Sequence, residues 1–284
     1  MSGAGYEAEL AVAEAAARAA GAIQRDLYER LERITPKGRR DVVTEADYRS
    51  EAAIIGLLRE AFPTDAIVAE ESGAHGVPIE RAIDGPAGPA AAARAWFVDP
   101  LDGTVNFANG IPFFCAAIGL AVDGQPVVGV VYDPVRDELL SAARGRGAWH
   151  VSGAARRSLK AAVKERLDES LIGVVHQRGF LRTMARLRPL VRAVRDLGSA
   201  ALAVAYVGGG RLDAYVQPRG SSPWDLCAAG LIAEEGGAIV SALDGGPWFR
   251  YPDVPRIRSG RAPSLSVLAA APRLHGPLRS IVGG

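Results

Sequence analysis

The chain has 284 residues, 49% hydrophobic and 23% charged, with 33 basic against 32 acidic side chains and a formal charge of +1. That balance is too apolar for a disordered chain and too neutral to demand a nucleic acid or an acidic membrane surface as partner. Two cysteines far apart, Cys115 and Cys227, imply no disulfide scaffold and suit a reducing cytoplasm.

The amino terminus places Glu7, Glu9 and Glu14 among alanines, which does not suit a signal peptide. From Glu7 to about Arg33 the composition and the stripe Leu10, Ala13, Ala17, Ala20, Leu27 and Leu31 predict a long helix with one buried face. Thr35 to Arg40 reads as a basic loop. Asp41-Val-Val-Thr44-Glu-Ala-Asp47 leads into a second helix, Tyr48 to Phe62, with Ile54, Ile55 and Leu58 inward. Thr44 suits its N-cap, and Asp47 suits an acid favoured by the helix dipole. Ile67-Val68-Ala69 reads as a strand delivering Glu70 and Glu71, and Gly73 to Arg94 as a Gly, Pro and Ala rich loop. Trp96-Phe97-Val98 has the composition of a buried strand that stops at Asp99, before Pro100, with Asp102 at a helix N-cap.

Phe113 to Val122, too short to span a bilayer, and Val127 to Tyr132 form a hairpin through Asp123-Gly124. Glu138 to Ala143 and Ala148 to Val151 continue the meander. Their link, Arg144-Gly-Arg-Gly147, is a turn and not a dinucleotide fingerprint, since His150 stands where the third glycine belongs. Leu171 to Val175 reads as a strand. Phe180 to Val194 follows as an arginine-rich segment, with Arg182, Arg186, Arg188, Arg192 and Arg195 suiting a solvated helix face or a phosphate- or partner-binding one. Gly198-Ser199-Ala200-Ala201 opens an apolar helix, Asp213 to Val216 is a strand, Gln217 to Pro223 a loop, Trp224 to Glu235 a helix, and Leu265 to Ala269 a last strand. The alternation predicts a layered α/β or α+β fold.

The chemistry concentrates at Asp99-Pro-Leu-Asp102-Gly103-Thr104. Acids that converge with no Lys or Arg beside them need a cation, and the N–H groups of Gly103 and Thr104 offer an anion seat. The same two acids also suit plain helix capping. Four scattered histidines (His75, His150, His176, His275) and no Cys-x-x-Cys disfavour zinc. Cys-x5-Arg, Asp-x-Asp and Gly-x-Ser-x-Gly are all absent, which removes the phosphocysteine, aspartyl-phosphate and serine-hydrolase routes.

Asp99-Pro-Leu-Asp-Gly-Thr-Val-Asn-Phe107 and Trp224-Asp225-Leu-Cys-Ala-Ala-Gly230 resemble the two signatures of the inositol monophosphatase family. Ala69-Glu-Glu-Ser72 resembles its Gly-Glu-Glu segment and Asp41 to Asp47 its N-terminal acidic element, all in the family's order. The resemblance implies an αβαβα sandwich with a lobe over 1–155 and a second over 156–284 closing the site. It implies Glu70, Asp99, the Leu101 carbonyl, Asp102 and Asp225 as ligands of two or three Mg²⁺ ions, with Mn²⁺ able to substitute. Thr104, Asp47 and Glu70 are implied as catalytic residues, and Gly103, Thr104, Gly198, Ser199, Ala200, Gln217 and Asp225 as substrate contacts. The implied reaction is hydrolysis of a small phosphate monoester, first an inositol phosphate, by in-line attack of metal-activated water. A homodimer, lithium sensitivity and a cytoplasmic location follow from the same resemblance, with no membrane or nucleic-acid partner. Relatives also act on fructose 1,6-bisphosphate, histidinol phosphate, NADP or adenosine bisphosphates, and some associate with the transcription machinery. The chain departs from inositol-selective members in carrying Gln217 for a Glu, with one residue more before Trp224.

Overall fold

Leu10, Ala13, Ala17 and Ala20 are buried along one side of the first helix, α1 (Glu7–Leu27). It stops short of the predicted Arg33 because Glu29 turns left-handed, at φ 61°. The structure is a computed structural model describing residues 5–30, 34–36, 42–75, 94–153, 155–176, 180–249 and 265–283. Asp41 and most of the loops predicted over 35–40 and 73–94 lie outside the described residues. The ends of those loops are strands: β1 (Ile34–Pro36) pairs with β2 (Val42–Thr44), and β4 (Gly73–His75) with β3 (Ala66–Ala69). The second helix, α2 (Glu45–Ala61), begins three residues earlier than predicted, immediately after its cap Thr44.

The strand at the centre of the chain also outruns its prediction. β5 (Arg94–Asp102) continues through Pro100. Against β6 (Cys115–Val122) its register runs Asp99↔Ala117 and then Asp102↔Cys115, so one extra residue bulges between the two acids. A bulge is where a strand tolerates proline, because the extra residue leaves the ladder anyway. Asp102 is therefore a strand residue. Gly103 caps the short helix α3 (Thr104–Ala108) instead, at φ 97°, a conformation glycine adopts at no steric cost.

From β6 the meander runs through β7 (Gln125–Asp133), β8 (Glu138–Ala143), β9 (Gly147–Ser152) and β10 (Ala155–Ser158). The eight strands are ordered β10-β9-β8-β7-β6-β5-β3-β4, with only the β3–β5 pair parallel in this sheet. The second sheet is built from β11 (Leu171–Val174), β12 (Ala193–Asp196), β13 (Ala214–Ser221), β14 (Ile239–Ser241) and β15 (Leu265–Ala270), ordered β12-β11-β13-β15-β14. Between them lie the helices α4 (Phe180–Leu187), α5 (Ala200–Gly208) and α6 (Pro223–Glu235), and α7 (Pro272–Val282) follows.

Two predictions are corrected here, and one element is added. The arginine-rich segment is helix only to Leu187, so Arg195 sits on β12. β13 runs on to Ser221, its register slipping between Gln217 and Ser221, so the predicted loop is largely an irregular strand edge. α7 is a helix that the sequence reading misses, since Pro272, Gly276 and Pro277 read as breakers. Burial of Leu274, Leu278 and Val282 against the second sheet outweighs them.

The core stacks in five layers. α1 and α2 cover one face of the large sheet through Ile54, Leu58, Trp96, Ile118 and Val130. α5 and α6 fill the space between the two sheets, against Phe97, Ala117 and Val131 on one side and Tyr215, Val267 and Ala269 on the other. α4 and α7 cover the far face of the small sheet. The α/β sandwich is thus the observed fold.

α6 lies tight on the large sheet because Gly119 and Gly129, paired neighbours on β6 and β7, present no side chain to it. A Cβ on Gly129 would stand 2.5 Å from the carbonyl oxygen of Ala228. Gly129→Ala should therefore destabilise by about 1–3 kcal/mol through overpacking. Gly56→Ala should instead stabilise by about 0.5–1 kcal/mol, since that helical position is open. Urea melts of both variants check the pair of signs, and a neutral Gly129→Ala would contradict the close α6 contact.

Candidate active site

The β5 bulge and the turn after it form one wall of a cavity of about 550 Å³ between the two halves of the chain. Glu70, Asp99, Leu101, Asp102, Gly103 and Thr104 line it from the first half. Gly198, Ala200, Gln217 and Asp225 line it from the second. Two predicted residues, Asp47 and Ser199, stand directly behind this surface, bonded to Thr104 and Asp102.

Asp102 reaches across to the start of α5. Its Oδ2 accepts from the Ser199 hydroxyl at 2.5 Å and from the Ala201 N–H at 2.6 Å. This places a carboxylate on the positive end of a helix built in the other half of the molecule. Gly198 makes room for the approach, at φ 79°, and a Cβ there would meet the Asn106 amide at 2.6 Å. Asn106 ties the same junction, donating from Nδ2 to the carbonyls of Phe113 and Leu197, both at 2.7 Å.

Asp47 does two jobs through its two oxygens. Oδ2 accepts from the Thr44 N–H at 2.8 Å and the Thr44 hydroxyl at 2.6 Å, closing the cap of α2. Oδ1 lies 3.1 Å from the Thr104 hydroxyl, which is also 2.9 Å from the Leu101 carbonyl oxygen. The capping role and the contact with Thr104 are therefore compatible, because they use different oxygens. One turn on, buried Glu51 accepts from the N–H groups of Glu71 and Ser72 at 2.9 and 3.0 Å, holding the turn that carries Glu70. Gln24 of α1 donates to the Pro100 carbonyl at 2.6 Å and steadies the bulge.

Sequence reading missed Gln24, Glu51, Asn106, His176 and Asp196. Glu51 had a legible signal, four residues after Asp47 and so on the same helix face. Asn106 stands within the Asp99–Phe107 signature and one of its partners is only seven residues away, whereas Gln24, His176 and Asp196 had no local signal, because Gln24's partner lies 76 residues away and only the folded cavity gathers the other two.

The electrostatics of the cavity are one-sided. Asp99, Asp102 and Asp225 all hold their protons more tightly than ordinary carboxyls. For Asp99 and Asp225, well above that range, the causes are burial first and then the neighbouring acids. For Asp102 the cause is burial, opposed by the Ser199 hydroxyl and the first N–H groups of α5. Among the described residues no lysine or arginine lines the cavity. No three His, Cys, Asp or Glu side chains of the described residues close around a point as they stand. The donor set is nevertheless all oxygen and lacks a counter-charge, which fits a hard divalent cation and does not fit zinc.

Comparison with known proteins finds a family match over nearly the whole chain. The inositol monophosphatase family model matches residues 6–277. The inositol-1-monophosphatase of Synechocystis sp. is 40% identical over 246 residues, 84% of this chain and 80% of that protein. The Nus factor SuhB of Pasteurella multocida is 36% identical, covering 93% and 92% of the two chains. The crystal structure of the extragenic suppressor protein SuhB from Bartonella henselae superposes with a TM-score of 0.81 at 30% identity, over 97% of this chain and 98% of that one.

Two measurements test the site. The three acids bind protons more tightly folded than unfolded, so they favour the fold most at and below the ordinary carboxylate range, about pH 4, and less as pH rises through the raised values. Melting in chelator should therefore fall from pH 5 to pH 8, and Mg²⁺ should restore it most at pH 8; a Mg²⁺ effect equal at both pH values contradicts this. Glu51→Gln accepts only one of its two N–H donors, so it should raise the Mg²⁺ concentration for half-maximal thermal protection by about 10-fold.

Proposed function

Since the chain belongs to the inositol monophosphatase family of Mg²⁺-dependent phosphatases, we propose that it hydrolyses a small phosphorylated polyol, with inositol monophosphate the first substrate to try. The observation that carries this reading is the cavity itself: five carboxylates (Glu70, Asp99, Asp102, Asp196 and Asp225) and Leu101 line one space without a lysine or arginine among its described lining residues. Glu70, Asp99, Leu101, Asp102 and Asp225 would hold two or three Mg²⁺ ions, Mn²⁺ serving in their place. The ions, when bound, supply Lewis acidity toward the phosphoryl oxygens and the attacking water.

The protein's own part is positioning and proton movement. The Thr104 hydroxyl donates to Asp47 Oδ1, which leaves its lone pairs to accept from a water facing the cavity. Asp47 cannot swing away, because Thr44 holds its other oxygen twice. A proton leaving the water can pass to Thr104 while the Thr104 proton passes to Asp47. Gly103 and Thr104 offer backbone N–H groups to the phosphate. Gly198, Ser199, Ala200, Gln217 and Asp225 bound the side where the alcohol leaves.

The proposal extends to lithium inhibition, a homodimer and a cytoplasmic location. A second reading, association with the transcription machinery, draws on the relative named Nus factor SuhB. The arginine-rich stretch that would serve it is divided between α4 and β12, and Arg186 is spent on the Ile281 carbonyl.

The direct test is phosphate release from a panel of phosphate monoesters with Mg²⁺ and with chelator. Activity should vanish in chelator and return with the ion; full activity without metal would sink the proposal. Thr104→Ala and Asp47→Asn should each lower kcat by roughly 10²–10⁴ while KM moves only a few fold, and the double variant should be little worse than the worse single. Single losses that multiply in the double variant would show that the two residues act separately.

A further inference from the structure

A second cavity, of about 600 Å³, opens beside the contact of Ser241 on β14 with His275 on α7. Helix α6 runs between the two cavities: Asp225 in its first turn lines one and Glu234 near its end lines the other, about 14 Å apart along the helix axis. Their charges are opposite in kind. The first is acidic throughout, whereas the second has the guanidiniums of Arg144 and Arg279 against the one carboxylate of Glu234. Glu234 is already occupied, by the Trp248 indole N–H at 2.8 Å and by Arg144 at 3.4 Å.

Arg279 is the cation left over. Its guanidinium has no ion pair or hydrogen bond among the described residues. It lies over Gly245, at φ 87°, where a Cβ would collide with Nη1, so the turn after β14 leaves room for it. His275 stands one turn earlier on the same face of α7 and is 7% exposed. The Ser241 hydroxyl spends its one proton on the Ala242 carbonyl at 2.8 Å, so toward His275 Nε2, 2.9 Å away, it can only accept. His275 therefore carries its proton on Nε2. Burial and then the charge of Arg279 hold the ring's proton affinity below its ordinary value, which keeps it neutral at neutral pH. Nδ1 is left as a lone pair with no partner among the described residues, yet it is not sealed from the cavity.

Arg279 can donate to an oxyanion and Nδ1 can accept a proton from one, so together they call for a ligand that is both anion and acid. Inorganic phosphate keeps an O–H in both of its forms near neutral pH. Sulfate and a fully ionised phosphate monoester keep none, and each would set a lone pair against Nδ1. We propose that this cavity is a second, non-catalytic site that binds inorganic phosphate without a metal ion, between Arg279 and the Ser241-held His275. The site takes the ion that the proposed reaction releases, yet it stands on its own groups and does not need that reaction.

Calorimetric titration of inorganic phosphate into the metal-free protein at pH 7.5 isolates this site, because the acidic cavity without cations repels the ion. One phosphate should bind, with sulfate and phenyl phosphate each about 10-fold weaker or more. Arg279→Gln, at an exposed position, should weaken phosphate and sulfate alike by about 10-fold. His275→Gln keeps a donor for Ser241 but removes the Nδ1 acceptor, so it should weaken phosphate about 10-fold and erase the preference over sulfate. Asp102→Asn should leave phosphate binding in place. Sulfate bound as tightly as phosphate by the wild type, binding untouched by Arg279→Gln, a preference that survives His275→Gln, or binding lost in Asp102→Asn overturns the proposal.

Discussion

The contact between Asp102 and the first turn of α5 is the constraint on which the site depends. Asp102 ends strand β5 of the large sheet, and α5 lies between the two sheets, so a single carboxylate oxygen bonded by Ser199 and Ala201 fastens one half of the chain to the other. The bond also compels the crowding. Once Asp102 is anchored there, the bulge sets Asp99 behind it, and α6 brings Asp225 to the opposite wall. Charges so placed raise one another's proton affinity, and the fold carries them because each has at least one oxygen spent on the backbone. Asp99 accepts from Leu101 at 3.1 Å and Asp225 from Ser222 at 2.7 Å.

Helix α2 shows how capping and chemistry share residues here. Asp47 and Glu51 are one turn apart, and both act on backbone or hydroxyl groups of other elements. One reaches Thr104 on α3 and the other the turn after β3. Asp225 likewise accepts from the N–H of Ser222 at the head of α6 while facing the cavity. A helix N-terminus favours an acid for electrostatic reasons alone. An acid already stabilised there can turn its free oxygen to a ligand without a separate device to hold it. The choice between a cap and a functional acid was therefore never exclusive at these positions.

Glycine makes the layers close enough for this to work. Gly119 and Gly129 let α6 descend onto the large sheet, and Gly198 lets Asn106 seat against the head of α5. Without those approaches the oxygens of Asp99, Asp102 and Asp225 would not face a common space. The arrangement trades stability for a cavity of one charge sign, as functional sites do when local rules are broken for chemistry.

Much of the molecule was legible in the chain as written. The apolar runs that become β6, β7 and β8 carry their own turn signals, the cap at Thr44 is local, and the acid-rich turn from Asp99 to Thr104 is contiguous. What these share is that cause and effect lie within a few residues. The sequence by itself therefore determined the strands of the meander, the cap of α2 and the start of α5, and the pairing of acids with a Gly-Thr turn. It did not determine that Pro100 would sit in a bulge, that β13 would outrun Gln217, that α7 would form across two prolines, or that Asp196 would join the lining of the cavity. Those outcomes rest on partners far along the chain: the ladder of β6, the register of β15, the apolar face under Leu274 and Leu278, and the parallel strand ends on either side of β11. Only the tertiary structure decided them, because burial and cross-strand register override local propensity wherever the stabilising contact is distant in sequence.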